Sequence, residues 1–175
     1  MIKYEINTDQ LDEAKNYFGE RHLERHLLNN RASGSFSASR LYRFVLGHKD
    51  EDITAALSQN LSLRRAYKTL LKQAAYFQIP QAIAASSQDY PDRHCDGCTL
   101  RLQASRAESS QLYLIIEVTD TRRDMPNVLT AFIDDEACIR LELPVARNGV
   151  IQTIIDVKSD MATLLANPKT EIYLR

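Results

Sequence analysis

Apolar residues change their spacing along the chain near residue 80. Before this point they recur at helical intervals, and after it they alternate with polar residues or form short runs. Helical spacing is typical of amphipathic helices, whereas alternation and short apolar runs are typical of strands. The pattern therefore predicts an α+β protein, in which a helical segment precedes a segment of antiparallel strands.

Four helices are predicted in the first 80 residues. The first covers about residues 9–29, the second starts near Ser39 and ends at Gly47, and the third follows the carboxylates of "DEDITAALSQN". The fourth ends before Pro80, since proline disfavours helical geometry in the residue before it. Its apolar stripe is the clearest of the four and comprises Leu63, Ala66, Tyr67, Leu70, Leu71 and Ala74. The expected architecture is an N-terminal four-helix bundle over residues 1–80.

Six strands are predicted in the second half. They are "CTLRLQA", "QLYLIIEVT", "VLTAFI", "ACIRLEL", "GVIQTIIDV" and "TEIYLR", separated by polar turns such as "SRAESS" and "DDE". The segment "DMATLLAN" fits either a short helix or a crossing loop. Residues 98–175 are therefore expected to form a small antiparallel β-sandwich or open barrel. The polar residues 81–97 are expected to be a linker or loop between the two parts.

Composition narrows the class of protein. The chain has 175 residues, 44% hydrophobic and 26% charged, with a formal net charge of −1. Its first residues lack the apolar core of a signal peptide, and no apolar run approaches the roughly 20 residues of a membrane span. Three cysteines, an odd number, do not form a disulfide framework. We expect a cytoplasmic protein that does not enter a membrane.

The stretch "DRHCDGCTL" is the one segment that suggests chemistry. Two thiolates at the spacing of Cys95 and Cys98 can bind one tetrahedral metal ion, but such a site needs two more ligands. His22 and His26 lie one helical turn apart and are the most interesting complement. A redox pair and an incidental turn are the other interpretations. The sequence predicts no metal and no cofactor, with a small zinc-binding module using Cys95 and Cys98 as the alternative.

Catalytic motifs are absent from the sequence. It contains no Gly-x-Gly-x-x-Gly, no P-loop, no Gly-x-Ser-x-Gly and no His-Glu-x-x-His, and it has only five glycines. No catalytic residues are assigned, and an enzyme with an unrecognised site is a further alternative. Arg64, Arg65 and Lys68 form a basic face on the fourth predicted helix. Three charges are too few to indicate direct binding of nucleic acid.

Residues 41–73, "LYRFVLGHKDEDITAALSQNLSLRRAYKTLLKQ", resemble the helical region of bacterial anti-sigma factors. In that family an aromatic–aliphatic helix ends at a glycine, an acidic start opens the next helix, and a Leu-Arg pair opens a third amphipathic helix. The matching residues here are Tyr42, Val45, Leu46, Gly47, Glu51, Leu57, Leu63, Arg64 and Tyr67. The family's zinc-binding branch has His-x-x-x-Cys-x-x-Cys, whereas His94 is adjacent to Cys95, so that zinc site does not carry over.

The function expected from these features is a cytoplasmic regulatory or adaptor protein, and not an enzyme. Its helical half would bind a protein partner, which the resemblance implies is a sigma factor, and would cover that partner's surface. Aromatic and arginine side chains dominate the energetics of many interfaces. The expected partner-binding residues are Leu41, Tyr42, Phe44, Arg64, Arg65 and Tyr67.

Overall fold

A computed structural model of the chain describes residues 36–82, 90–134 and 136–175. The predicted first helix, with His22 and His26, lies outside these residues. The helices of the described part are α1 (Ala38–Val45), α2 (Glu51–Gln59), α3 (Leu61–Ala74) and α4 (Asp160–Ala166). Its strands are β1 (Phe77–Ile79), β2 (Arg93–Cys95), β3 (Cys98–Ala104), β4 (Gln111–Val118), β5 (Val128–Ile133), β6 (Ala137–Glu142), β7 (Val150–Asp156) and β8 (Thr170–Leu174).

The eight strands form two antiparallel sheets of four strands each. Sheet A has the order β1-β8-β5-β6, and sheet B has the order β2-β3-β4-β7. One cluster of buried residues includes side chains from both sheets and from α4. The main core therefore lies between the two sheets, and α4 contributes to it.

Sheet A is covered on both of its faces. Along β5, Leu129 and Ala131 belong to the core between the sheets, whereas Phe132 belongs to a second cluster formed with α1, α2 and α3. Strands that are buried on both faces appear in a sequence as continuous apolar runs, without the alternation of a half-exposed strand. This double burial explains why "VLTAFI" shows so little alternation.

A ladder of aromatic rings joins the helices to sheet A. The Phe44 and Tyr67 ring centroids are 5.2 Å apart, those of Tyr67 and Phe132 are 5.9 Å apart, and those of Phe132 and Tyr173 are 5.7 Å apart. Tyr67 Oη also lies 3.2 Å from Thr130 Oγ1, and both residues are fully buried. Helices and sheet thus share one apolar cluster and one buried hydrogen bond.

Arg140 of β6 fixes the end of α1 on the sheet. Its Nη1 donates to the carbonyl oxygen of Phe44 at 3.0 Å, and its Nη2 donates to that of Gly47 at 2.7 Å. The guanidinium also lies 4.2 Å from the centroid of the Phe44 ring. The last carbonyls of a helix have no partner within the helix. Arg140 adds a side-chain donor from another element to the carbonyls at this end, and the Phe44 carbonyl also accepts from the amide of Gly47.

The predicted N-terminal four-helix bundle is wrong, although the α+β class is right. Residues 36–82 hold three short helices, and the fourth helix of the described part is α4, near the end of the chain. The buried stripe of α3 packs against α1 and α2 and also against sheet A. Phe77–Ile79 adds the strand β1 directly after α3 and pairs with β8. An apolar stripe shows that a helix has a buried face, but it does not show what covers that face.

The predicted division into 1–80, 81–97 and 98–175 stays a prediction, but its middle segment contains unexpected structure. Arg93 begins β2, is 2% exposed, and donates to the carbonyl oxygens of Leu165, Asn167 and Thr170. These carbonyls lie at the end of α4 and the start of β8. Arg93 therefore joins the predicted linker to the last elements of the fold.

We predict that the Tyr67–Thr130 hydrogen bond couples the helices to sheet A. Tyr67→Phe should lower the free energy of unfolding by about 1–2 kcal/mol, because it leaves the buried Thr130 hydroxyl without this partner. Thr130→Val should cost a similar amount, and the double variant should cost less than the sum. Urea unfolding of the four proteins measures the coupling. Strict additivity would contradict a shared hydrogen bond.

We also predict that trypsin does not cleave the native protein after Arg93. A protease needs an extended, accessible segment, and Arg93 is buried with its guanidinium bonded to three carbonyls. Arg106, exposed in the β3–β4 loop, is the comparison site. Mass spectrometry over a time course should show cleavage after Arg106 well before Arg93. Earlier cleavage after Arg93 would show that β2 detaches from the fold.

Candidate functional site

Three of the predicted partner-binding residues lie in the protein core. Leu41, Phe44 and Tyr67 are 1%, 2% and 1% exposed. Their side chains pack against each other and against Phe132 and Tyr173 of sheet A. We call α1, α2 and α3, within residues 36–82, the helical layer. The three side chains lie beneath its surface and are not exposed to a partner.

The other three predicted residues lie at or near the surface. Tyr42 is half-buried against the helical cluster, and Arg65 is exposed. Arg64 donates from Nη1 to the carbonyl oxygens of Leu57 at 2.8 Å and Ser58 at 3.1 Å. Arg64 thus provides hydrogen-bond donors for the carbonyl oxygens at the end of α2, which gives it a structural role in this fold. Arg65 is the most exposed of these three side chains, and Tyr42 and Arg64 are partly exposed.

The outward surface of α3 is basic. The helix carries four cations and no carboxylate, and two of these cations, Arg65 and Lys72, lie on its exposed face. Lys68 is less exposed and pairs with Glu171 of β8 at 3.2 Å. We call Arg65 and Lys72, together with the exposed polar residues between them, the basic face of α3.

Carboxylates in the helical layer are confined to one place. Residues 36–82 contain seven Lys and Arg and three Asp and Glu, a net charge of +4. The three carboxylates are consecutive at the start of α2, where Asp50 and Asp52 bind Arg40 at 2.5 Å and 2.6 Å. The Arg40 hydrogen bond lowers the pKa of Asp50. Arg40 thus pairs with two of the three carboxylates. All three lie at the start of α2 and not in α3, which carries the basic face.

Cys95 and Cys98 lie directly opposite each other in a tight hairpin. The residues Asp96 and Gly97 connect β2 to β3, and the register pairs Cys95 with Cys98. Directly opposed residues of an antiparallel pair point to the same face of the sheet. Here that face is the inner one, because Cys98 is 2% exposed and Cys95 packs against the core between the sheets.

The tip of this hairpin is held in place by the segment that follows β4. The amides of Thr119 and Asp120 donate to the carbonyl oxygen of Gly97 at 2.9 Å and 3.3 Å. Gly97 has a φ of +77°, and a Cβ atom at this position would lie 2.5 Å from the Cβ of Asp120. Only glycine fits this turn without strain. The thiols therefore sit on a fixed backbone.

The two thiols have opposite electrostatic environments. The pKa of Cys95 is lowered, mainly by a hydrogen bond from the Cys98 thiol and further by the positive charge of Arg123 and the backbone N–H of Cys98, while burial and the negative charge of Asp96 act against this shift. The same hydrogen bond, together with burial, raises the pKa of Cys98. Cys95 is also the more exposed of the two thiols. Sequence reasoning missed Arg123, since no local pattern links it to the cysteines.

No metal site is assembled within the described ranges 36–82, 90–134 and 136–175, which contain no group of three or more His, Cys, Asp or Glu placed to hold an ion. His94 is exposed and precedes Cys95 in β2, so its side chain points to the opposite face of the sheet. His22 and His26 lie outside the described residues. The hairpin alone supplies two sulfur ligands, and the zinc-binding alternative stays a prediction.

Comparison with models of protein families, with curated proteins and with solved structures finds no match to this chain. The resemblance of residues 41–73 to anti-sigma factors therefore stays a prediction. Among the helices that the structure describes, none is long and apolar enough to cross a membrane.

We predict that the fold does not need metal. Two thiols alone do not complete a tetrahedral site. Incubation with a strong chelator should therefore leave the Tm of the full chain unchanged, as calorimetry would measure. Metal analysis of protein purified without added metal is the complementary measurement. Stoichiometric zinc that is lost in a Cys95→Ala/Cys98→Ala variant would contradict the prediction and revive the zinc-binding alternative.

Proposed function

We propose that this chain is a cytoplasmic regulatory or adaptor protein, not an enzyme, that binds an acidic surface of a protein partner through the basic face of α3. The observation that carries the proposal is the charge of this helix. It has four cations and no carboxylate, and Arg65 and Lys72 lie on its exposed side. Complementary charge between two proteins speeds their association and selects the partner.

Exposure selects the cations of the proposed contact. Arg65 and Lys72 are exposed on α3, whereas Lys68 is partly buried and pairs with Glu171. The proposed contact therefore centres on Arg65 and Lys72.

A protein fits this surface better than a nucleic acid. Binding to a duplex or a single strand uses cations that follow the phosphate backbone over many ångströms. Residues 80–175 contain ten Lys and Arg against fourteen Asp and Glu, so the basic face has no basic continuation in this half of the sequence. A small basic face of this kind matches a cluster of carboxylates on a protein.

The proposed mechanism is occlusion of the partner's surface. The apolar anchors Leu41, Phe44 and Tyr67 are used inside the fold, so charged side chains and the half-buried Tyr42 would make the contact. A sigma factor is the specific partner suggested by the resemblance of residues 41–73. Such a partner would be held at a distance from polymerase for as long as its acidic surface is covered.

Charge reversal on the basic face tests the proposal. The Arg65→Glu/Lys72→Glu variant should lose most of its partner at moderate salt, because two attractions become repulsions. Its Tm should stay within a few degrees, since exposed substitutions usually change stability by about 0.5 kcal/mol or less. The measurement is a pull-down with the full chain from a nuclease-treated lysate of the native host, quantified by mass spectrometry.

A matched variant controls for total charge. Arg106→Glu/Lys169→Glu reverses two exposed cations outside the helical layer, so it should capture the same proteins as the parent. Recovery of sigma factors by the parent alone would support that specific partner. If the basic-face variant and the control capture the same proteins in the same amounts, the basic face is not the interface. Proteins that are captured from an untreated lysate but not from the nuclease-treated one would point to nucleic acid instead.

A further inference from the structure

The hairpin formed by β2 and β3 brings two thiols into a geometry that suits a disulfide bond. Directly opposed residues in an antiparallel pair have Cα atoms about 4.5–5.5 Å apart. A disulfide needs a Cα separation of about 4.4–6.8 Å. The observed register of Cys95 and Cys98 therefore meets the main requirement without a change of strand pairing.

The exposure of each thiol also suits its role in forming a disulfide, with Cys95 as the thiol that is oxidised and Cys98 as the one that resolves it. Cys95 is partly exposed, so a small oxidant can reach it, whereas Cys98 is 2% exposed and lies behind it. A reactive thiol that is reachable and low in pKa, next to a second thiol that is protected, is typical of redox-sensing pairs. The Cys98 hydrogen bond and the Arg123 charge, which favour the Cys95 thiolate, agree with this assignment.

Cys138 in β6 provides an internal contrast. It packs against the helical cluster on the other side of sheet A. Burial raises its pKa to about 12, so it carries very little thiolate at neutral pH. Cys95 and Cys138 are both partly exposed, but burial raises the pKa of Cys138, whereas neighbouring groups lower that of Cys95.

We propose that Cys95 and Cys98 form a redox-active pair that a peroxide oxidises reversibly to an intramolecular disulfide. The Cys95 thiolate attacks one oxygen of hydrogen peroxide and the O–O bond breaks, which yields Cys95 sulfenic acid and hydroxide. The Cys98 thiol then attacks the Cys95 sulfur, the S–O bond breaks, and the leaving oxygen takes the Cys98 proton as water. Two electrons pass from the thiols to the peroxide, and a dithiol reductant returns them.

The fixed hairpin favours the second step over further oxidation. Gly97 is held by the amides of Thr119 and Asp120, so the resolving thiol stays beside the sulfenic acid. A neighbouring thiol that condenses quickly protects a sulfenic acid from the irreversible sulfinic state. The oxidation can then serve as a modification that is set by peroxide and reset by a thiol reductant. It is independent of the basic face and of any partner.

The experiment treats the reduced full chain with a small excess of hydrogen peroxide and then alkylates it with N-ethylmaleimide after unfolding. Peptide mass spectrometry should find Cys95 joined to Cys98, while Cys138 is alkylated. Dithiothreitol should restore alkylation at both positions. Iodoacetamide should modify native Cys95 at least about tenfold faster than Cys138 at neutral pH, because the thiolate is the reacting form.

Three variants assign the roles of the cysteines. Cys98→Ala should stop at a Cys95 sulfenic acid, which dimedone traps. Cys95→Ala should leave Cys98 reduced, and Cys138→Ala, the matched control, should form the disulfide as the parent does. The proposal is overturned if both thiols of the folded parent stay reduced under peroxide. It is also overturned if the bond forms with Cys138, or if native Cys95 reacts no faster than Cys138. None of these parent measurements depends on a variant folding.

Discussion

The contact between Tyr67 and sheet A is the interaction on which the rest of the structure depends. The ring of Tyr67 lies between Phe44 and Phe132, and its hydroxyl meets the buried hydroxyl of Thr130. Through this side chain the stripe of α3 and the outer face of β5 become one apolar cluster. This cluster buries apolar side chains of the helices and covers the outer face of sheet A. The helices and sheet A thus share one buried cluster.

Three arginines have a structural role, because they bond the carbonyl groups at the ends of helices. Arg140 satisfies the end of α1, Arg64 the end of α2, and Arg93 the end of α4. A guanidinium has five donors in a planar arrangement, which lets it serve several carbonyls at once. These three side chains count as positive charges in the sequence, but in the structure their donors bind helix carbonyls and join the helices to neighbouring elements. The contact proposed for an acidic partner uses other cations, Arg65 and Lys72, which are exposed on α3.

The predictable parts of the fold are those that local pattern determines. All six strands predicted from apolar runs are present as β3–β8, because alternation and turn residues are properties of neighbouring positions. The strands β1 and β2 have three residues each, too few for a periodicity to appear. The prediction of a four-helix bundle was wrong for a different reason. The apolar stripe of α3 can pack against a sheet as well as against helices. For the site, the spacing of Cys95 and Cys98 was evident, but the sequence did not place Arg123 beside them or Cys98 in the core.

Native-state hydrogen exchange tests most directly whether the helices and sheet A form one cooperative unit. The relevant amides are those of Leu70 and Leu71 in α3, compared with Phe132 in β5 and Tyr173 in β8. Residues that share a core become exposed in the same opening reaction. We expect the four amides to exchange with the same free energy of opening, and to respond equally to denaturant. If the α3 amides open at a free energy several kcal/mol lower than those of β5 and β8, the helical layer unfolds separately and the shared core is not the basis of this fold.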